Sequence, residues 1–252
     1  MTMKNLHISE QEPDLYLEVQ HLASENPMFR HYTDLVQEHY NTTLRKMSHE
    51  INNSLTLIHS SLQLIESSHS EVKDYKFWTS TMEDVDYLIH LMSEITVFNH
   101  SSTIHEDVCE IAQLLKSIIN GFTACHPEIQ YNLIINQKIP EIKGDSVKLR
   151  QVFTNIIKNS IEALDCVNSP SINIILTFDT KKNLLELNFE DNGAGISKSA
   201  ISTIFRPMVT YKKNGTGLGL AISKRIIESH QGDIAVNSEL SKGTTITIHL
   251  PA

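Results

Sequence analysis

Leu44-Arg45-Lys46-Met47-Ser48-His49-Glu50-Ile51-Asn52-Asn53-Ser54-Leu55 sets apolar residues at Leu44, Met47, Ile51 and Leu55, and the series goes on through Ile58, Leu62 and Ile65. Steps of three and four place them on one helix face. Neither Pro nor Gly occurs from about Met28 to Ile65, so one long helix is predicted there. After a polar break at Ser67-Ser68-His69-Ser70, the same spacing returns in Tyr75, Trp78, Met82, Val85, Ile89, Met92 and Ile95. The two runs make a helical hairpin. Alone, it leaves much of its seam in water, whereas two hairpins close a four-helix core, so a homodimer is implied.

His49 lies two residues from Met47 and two from Ile51, which at about 100° per residue turns it away from the seam. Glu50 adjoins it, and Asn53 lies one turn on, on the same side. An exposed imidazole beside a carboxylate can be held in one tautomer, leaving the other nitrogen free to attack an electrophile. With His 13 in the composition, an exposed histidine on its own is a weak signal. A zinc-protease H-E-x-x-H motif is absent, because Asn53 stands where the second imidazole would be.

Asn99-His100-Ser101-Ser102-Thr103 is short and polar, and the pattern changes after it. It divides the chain into an N-terminal segment (1–27), a hairpin domain (28–99) and a C-terminal domain (104–252). Helical patches at Leu15–Leu22 and Phe29–Tyr40 are too few for a large sensory domain. Past the boundary the patterns predict a strand near Ile104, then a helix over Asp107–Phe122 with Val108, Ile111, Leu115 and Ile118 on one side. A strand over Ile129–Ile135 and a helix over Ser146–Leu164, capped by Asp145 or Ser146, follow. Strands are expected at Ile172–Phe178 and Leu184–Phe189, and a short helix at Ser197–Phe205. A helix over Leu218–His230 and strands at Ile234–Val236 and Thr245–Leu250 complete an α+β layer with a mixed sheet.

The 252 residues allow two domains with separate cores. Hydrophobic residues at 40% and charged residues at 20% exclude disordered and collagen-like classes. A net charge of −9 argues against nucleic acid or anionic membrane as a general partner. No apolar run approaches the roughly 20 residues of a membrane span. Met1–Pro13 lacks a signal-peptide core, and Cys109, Cys125 and Cys166 are widely spaced, so a reducing, cytoplasmic setting is expected.

Three polar clusters interrupt the C-terminal pattern. Asn155, Lys158, Asn159 and Glu162 fall at three- and four-residue spacings, a stripe of oxygens for a hard cation and an ammonium for phosphate. Asp191-Asn192-Gly193-Ala194-Gly195 sets a carboxylate at a strand end, where it can accept a hydrogen bond from an exocyclic amine. Gly215-Thr216-Gly217-Leu218-Gly219 opens a helix with backbone N–H groups free for an anion. Each has an ordinary alternative: a solvated helix face, a turn and a flexible loop. The last is neither a Walker loop nor a dinucleotide fingerprint.

Ser48-His49-Glu50-Ile51-Asn52-Asn53-Ser54-Leu55 resembles the phosphoacceptor box of two-component histidine kinases, with Ser54 where the family usually has Pro. Gln151–Leu164, Asp191–Gly195, Phe205-Arg206-Pro207 and Gly215–Gly219 resemble, in order, the N-box, first glycine box, F-box and second glycine box of the histidine kinase and gyrase-like ATPase superfamily. Thr210-Tyr211-Lys212 departs from the Thr-Thr-Lys of the nitrogen-regulatory and sporulation-type kinases, which otherwise look nearest. The resemblance covers about Arg45–Pro251 and implies a multidomain fold: an all-α hairpin forming a dimeric four-helix bundle, then an α+β ATP-binding sandwich.

It further implies that His49 accepts the γ-phosphoryl group of ATP, that Glu50 acts as base and that Asn53 helps water attack during dephosphorylation of a partner. Asn159 would ligate Mg, Asn155 and Lys158 would line the phosphates, and Asp191 would read the adenine amino group. Gly193 and Gly195 would shape the adenine pocket, and Gly215, Gly217 and Gly219 would let a lid fold over the triphosphate. Lys212 would compensate charge, with Thr245 near the pocket. The partner implied is an Asp of a response regulator receiver domain. Two other classes stand beside this reading: a phosphotransfer adaptor without ATP use, and a gyrase-like or chaperone-type ATPase for which His49 is incidental.

Overall fold

Asn26 starts the first helix, its side-chain oxygen accepting the backbone N–H of Met28 at 3.0 Å and of Phe29 at 3.2 Å, with Pro27 in the first turn. A computed structural model of the chain describes residues 26–101, 103–212 and 215–252. The patch expected at Leu15–Leu22 and most of the segment 1–27 lie outside them. Helix α1 runs unbroken over Pro27–Ser68, 42 residues or about 63 Å at ~1.5 Å per residue.

A 3₁₀ turn at Ser70–Asp74 leads to α2 (Trp78–His100). Trp78 Nε1–H donates to Glu66 at 2.9 Å and Lys73 pairs with the same carboxylate at 3.0 Å, fixing the hairpin's closed end. Val72 and Val85 are buried between the helices. At the other end Asn52 Nδ2 reaches Thr96 Oγ1 at 3.5 Å, so the stretch around His49 runs alongside the last turns of α2.

The rest is an α/β layer. Strands β1 (Asp107–Cys109) and β3 (Ile142–Gly144) form a small antiparallel pair. Helix α3 (Ile111–Cys125), β2 (Gln130–Ile135), α4 (Ser146–Ala163), β4 (Ser171–Asp179), β5 (Leu184–Asp191), α5 (Lys198–Ile201), α6 (Gly219–Ser229), β6 (Asp233–Glu239) and β7 (Gly243–Pro251) complete it. The five-stranded sheet has order β2-β4-β5-β7-β6, parallel only between β2 and β4. Along β5, Leu185, Leu187 and Phe189 are buried beneath the helices while Glu186, Asn188 and Glu190 line the other face, the alternation of a sheet covered on one side. Phe153 of α4 meets Phe189 with ring centroids 5.7 Å apart. Around them Leu149, Ile156, Ile157, Ile226 and Ile227 are fully enclosed.

Asp107–Cys109 was expected in a helix and is a strand instead, paired with Gly144–Ile142. Val108 is 67% exposed, so it never belonged to the apolar helix face, which starts at Ile111. The strand anticipated near Ile104 accordingly lies three residues later.

Asp145 caps α4, accepting from Val147 and Lys148 N–H at 3.1 Å each, and takes His105 N–H as well at 3.1 Å. Burial alone would raise this carboxyl; the N–H donors and the Lys148 charge outweigh it and hold it below the usual aspartate value. The buried ring of His230 joins the same corner. Its Nδ1–H donates to Ile226 O at 2.7 Å, so Nε2 accepts Asp145 N–H at 2.9 Å and ties the end of α6 to the start of α4.

The hairpin packs on this layer. Leu91, Ile95 and Phe98 of α2 lie against the α/β core, and the Arg225 guanidinium of α6 sits 4.9 Å from the Phe98 ring centre. Lys148 Nζ donates to the carbonyls of His100 at 2.5 Å and Ser101 at 3.3 Å and also to Thr103, a cation on the carbonyls at and just after the end of α2.

Candidate functional site

Asp191 ends β5 between the starts of β4 and β7, its register partners being Ile172 and Thr244. Oδ1 accepts the N–H of Gly193 at 2.9 Å and of Thr244 at 3.2 Å, and Oδ2 accepts the Ser160 hydroxyl at 3.1 Å. Burial raises the carboxyl above its ordinary value, and these donors offset that only in part. Ala194 N–H bonds Ala163 O at 3.0 Å while Ser241 N–H bonds Ala194 O at 2.8 Å, so the loop after Asp191 is pinned between α4 and the β6–β7 turn. Gly195 has φ +71°, and a side chain there would run into the Glu239 carbonyl.

The polar stripe of α4 faces the first turn of α6 and the segment before it. Asn155 Nδ2 donates to Ser223 Oγ at 2.9 Å, and Ser223 in turn donates to Gly219 O at 3.0 Å, so this amide joins two helices. Lys158 is exposed. Asn159 Oδ1 accepts Lys212 Nζ at 2.6 Å, and the same ammonium is paired with Glu162. Gly217, at φ +71°, would bring a Cβ within 2.6 Å of the Val209 backbone, and its carbonyl accepts Met208 N–H at 3.0 Å. Gly215 N–H points to Lys212 O at 3.4 Å, and Gly219 opens α6. Thr216 Oγ1 accepts Leu218 N–H at 3.3 Å and donates to Glu94 of α2.

Thr245 pairs with Glu190 and Asn237 in the sheet, while its neighbour Thr244 makes the bond to Asp191. On α1, His49, Glu50 and Asn53 are all exposed beside a buried Ser48. The Ser54 hydroxyl donates to Glu50 O at 2.9 Å and the helix continues through it. Sequence reading passed over Ser160, Thr244, Glu94 and Lys148. Ser160 had a signal of its own, a hydroxyl on the core-facing side of a helix, whereas the others act through contacts far apart in the chain.

Among the described residues no three His, Cys, Asp or Glu side chains form a metal-holding group. A divalent cation here would therefore draw most of its ligands from a nucleotide and water. Asn159 fits that demand, since its amide oxygen already receives a cation, the Lys212 ammonium.

Residues 144–252 match the family of histidine kinase-, DNA gyrase B- and HSP90-like ATPases. Sporulation kinase A of Bacillus subtilis (strain 168) is 32% identical over 212 residues, covering 81% of this chain and 33% of that protein. The C-terminal domain thus matches an ATPase family that includes histidine kinases, and four-fifths of the chain is similar to two-component sensor histidine kinases. The signal transduction histidine-protein kinase AtoS of Escherichia coli (strain K12) is 28% identical over 207 residues, 81% of this chain and 34% of that protein. Full-length ShkA in complex with AMPPNP shares the fold at a TM-score of 0.67 and 22% identity, over 83% of this chain and 45% of that one. The Acinetobacter baumannii histidine kinase AdeS does so at 0.57 and 16%, over 81% and 97%.

The chain spans less than half the length of these two curated relatives. The cofactors of a domain of this family are ATP and Mg. No described helix is long and apolar enough to cross a membrane.

Proposed function

We propose that this chain is a protein-histidine kinase that binds Mg-ATP between α4, the end of β5 and the Gly215–Gly219 loop, and phosphorylates itself on His49. One observation carries the reading: an exposed His49-Glu50-x-x-Asn53 on a helical hairpin is joined in one chain to a domain of the histidine kinase-type ATPase family. We take 28–99 as the dimerisation and phosphotransfer domain and 104–252 as the catalytic domain.

ATP with magnesium supplies the terminal phosphoryl group and neutralises its charge. Asp191 reads the adenine amine through a carboxylate already fixed by three donors. Gly193 and Gly195 let backbone approach the base. Asn159 holds the metal, Asn155 and Lys158 line the phosphates, and Gly215, Gly217 and Gly219 cover them with Lys212 and Thr245 nearby. His49 Nε2 is the nucleophile and would displace ADP from the γ-phosphorus, with Glu50 orienting the ring and receiving the Nδ1 proton. Phosphohistidine then passes its group to an Asp of a response regulator receiver domain, and Asn53 orients water for the separate phosphatase reaction, in which water attacks the phospho-Asp and releases inorganic phosphate.

The seam supports a homodimer. Met47, Ile51, Ile58 and Ile65 are 53%, 41%, 49% and 43% exposed in the single chain, an apolar stripe that a second hairpin would cover. Incubation with γ-labelled ATP and a panel of receiver domains tests the function. Acid-labile, alkali-stable label on the chain that moves to one receiver is expected. Absence of label, or label that resists acid, contradicts it.

A further inference from the structure

We propose that Lys212 is a cation placeholder: without nucleotide its ammonium occupies the position on Asn159 that the divalent cation takes, and Glu162 is the group that retains it there. This rests on the ATP-site reading above. Asn159 and Glu162 stand three residues apart on α4 and converge on one point. They offer it an amide oxygen and a carboxylate oxygen, the hard donors that Mg²⁺ accepts. Lys212 Nζ fills that point, 2.6 Å from Asn159 Oδ1 and paired with Glu162.

The departure from Thr-Thr-Lys supplies an anchor. Tyr211 Oη is hydrogen-bonded to Thr203 Oγ1 at 2.8 Å, and Thr210 Oγ1 accepts Lys212 N–H at 3.2 Å, so the backbone leading into the lysine is held with its side chain toward α4.

A bare Glu162 carboxylate would repel a triphosphate, and the pair with Lys212 removes that repulsion. The pair is exposed and therefore weak, which suits an ion that must leave. A divalent cation arriving with the nucleotide outcompetes a monovalent ammonium for Asn159 Oδ1, and Lys212 is released toward the phosphate oxygens.

The experiment is equilibrium binding of a fluorescent ATP analogue to the full chain while Mg²⁺ is titrated. A lysine that only binds phosphate would, on removal, make binding lean harder on the metal and raise the Mg²⁺ midpoint. A placeholder does the opposite. Lys212→Met is expected to lower the Mg²⁺ midpoint about threefold to tenfold while weakening binding at saturating metal, and Lys212→Arg is expected to stay near the wild-type midpoint. Tyr211→Phe, which loosens the anchor, should fall between. An unchanged or raised midpoint in Lys212→Met overturns the placeholder. A wild-type chain that binds no nucleotide at any Mg²⁺ concentration overturns the ATP-site reading instead.

Discussion

In the proposed nucleotide site Asp191 carries the sharpest conflict between folding and function. Its carboxyl is raised by burial, so the ionised form costs stability at neutral pH. The stabilising contribution of the neutral form is present below the ordinary aspartate range and is lost as pH climbs through the raised value. Asp191→Asn keeps an oxygen for Gly193 and Thr244 and lets Ser160 turn its hydroxyl round. The variant is expected to melt at or slightly above the wild-type temperature at pH 7, yet to bind ATP about 10- to 100-fold more weakly, because a donor amide cannot receive the adenine amine. In the wild type, nucleotide affinity should fall on acidification at a pH above the usual carboxylate range, and the variant should lose that dependence. Thermal shift and binding measured across pH decide; a destabilised variant with normal affinity would contradict the assignment.

Between elements, the docking of α2 on the α/β layer is where sequence reading ran out. Glu94 with Thr216, Phe98 with Arg225 and Lys148 with the carbonyls after α2 join residues far apart in the chain, and none disturbs a local pattern. Long helices and the sheet were legible because burial imposes periods of 3.6 and 2, as along Leu185-Leu187-Phe189. The three-residue pair β1–β3 was not, since so short a ladder depends on a partner about 35 residues away. At the site, glycines and Asp191 announced themselves through turn chemistry, but the bond of Asn155 to Ser223 needed coordinates. Phe98→Ala is expected to weaken the docked arrangement by about 1–2 kcal/mol. Amide exchange should quicken along α2 and α6 while β4 and β5 keep their protection, and unchanged exchange in both helices would contradict this packing.

At the scale of the molecule, the proposed function divides the labour between the hairpin, which would present an imidazole, and the α/β layer, which would grip a nucleotide. In the proposed homodimer a second copy covers the half-exposed stripe on α1. Ile58→Asp is expected to shift sedimentation from dimer toward monomer while leaving nucleotide binding within about twofold, since a buried unpaired carboxylate is far costlier in a seam than an exposed one in water. A variant that stays dimeric would place the interface elsewhere.

The central claim is that His49 receives the phosphoryl group. Its most direct test is stoichiometric labelling of wild type and His49→Gln from γ-labelled ATP, with nucleotide binding measured on both. The account predicts acid-labile label on the wild type and none on His49→Gln at equal nucleotide affinity. Label of equal stoichiometry on the variant would contradict it.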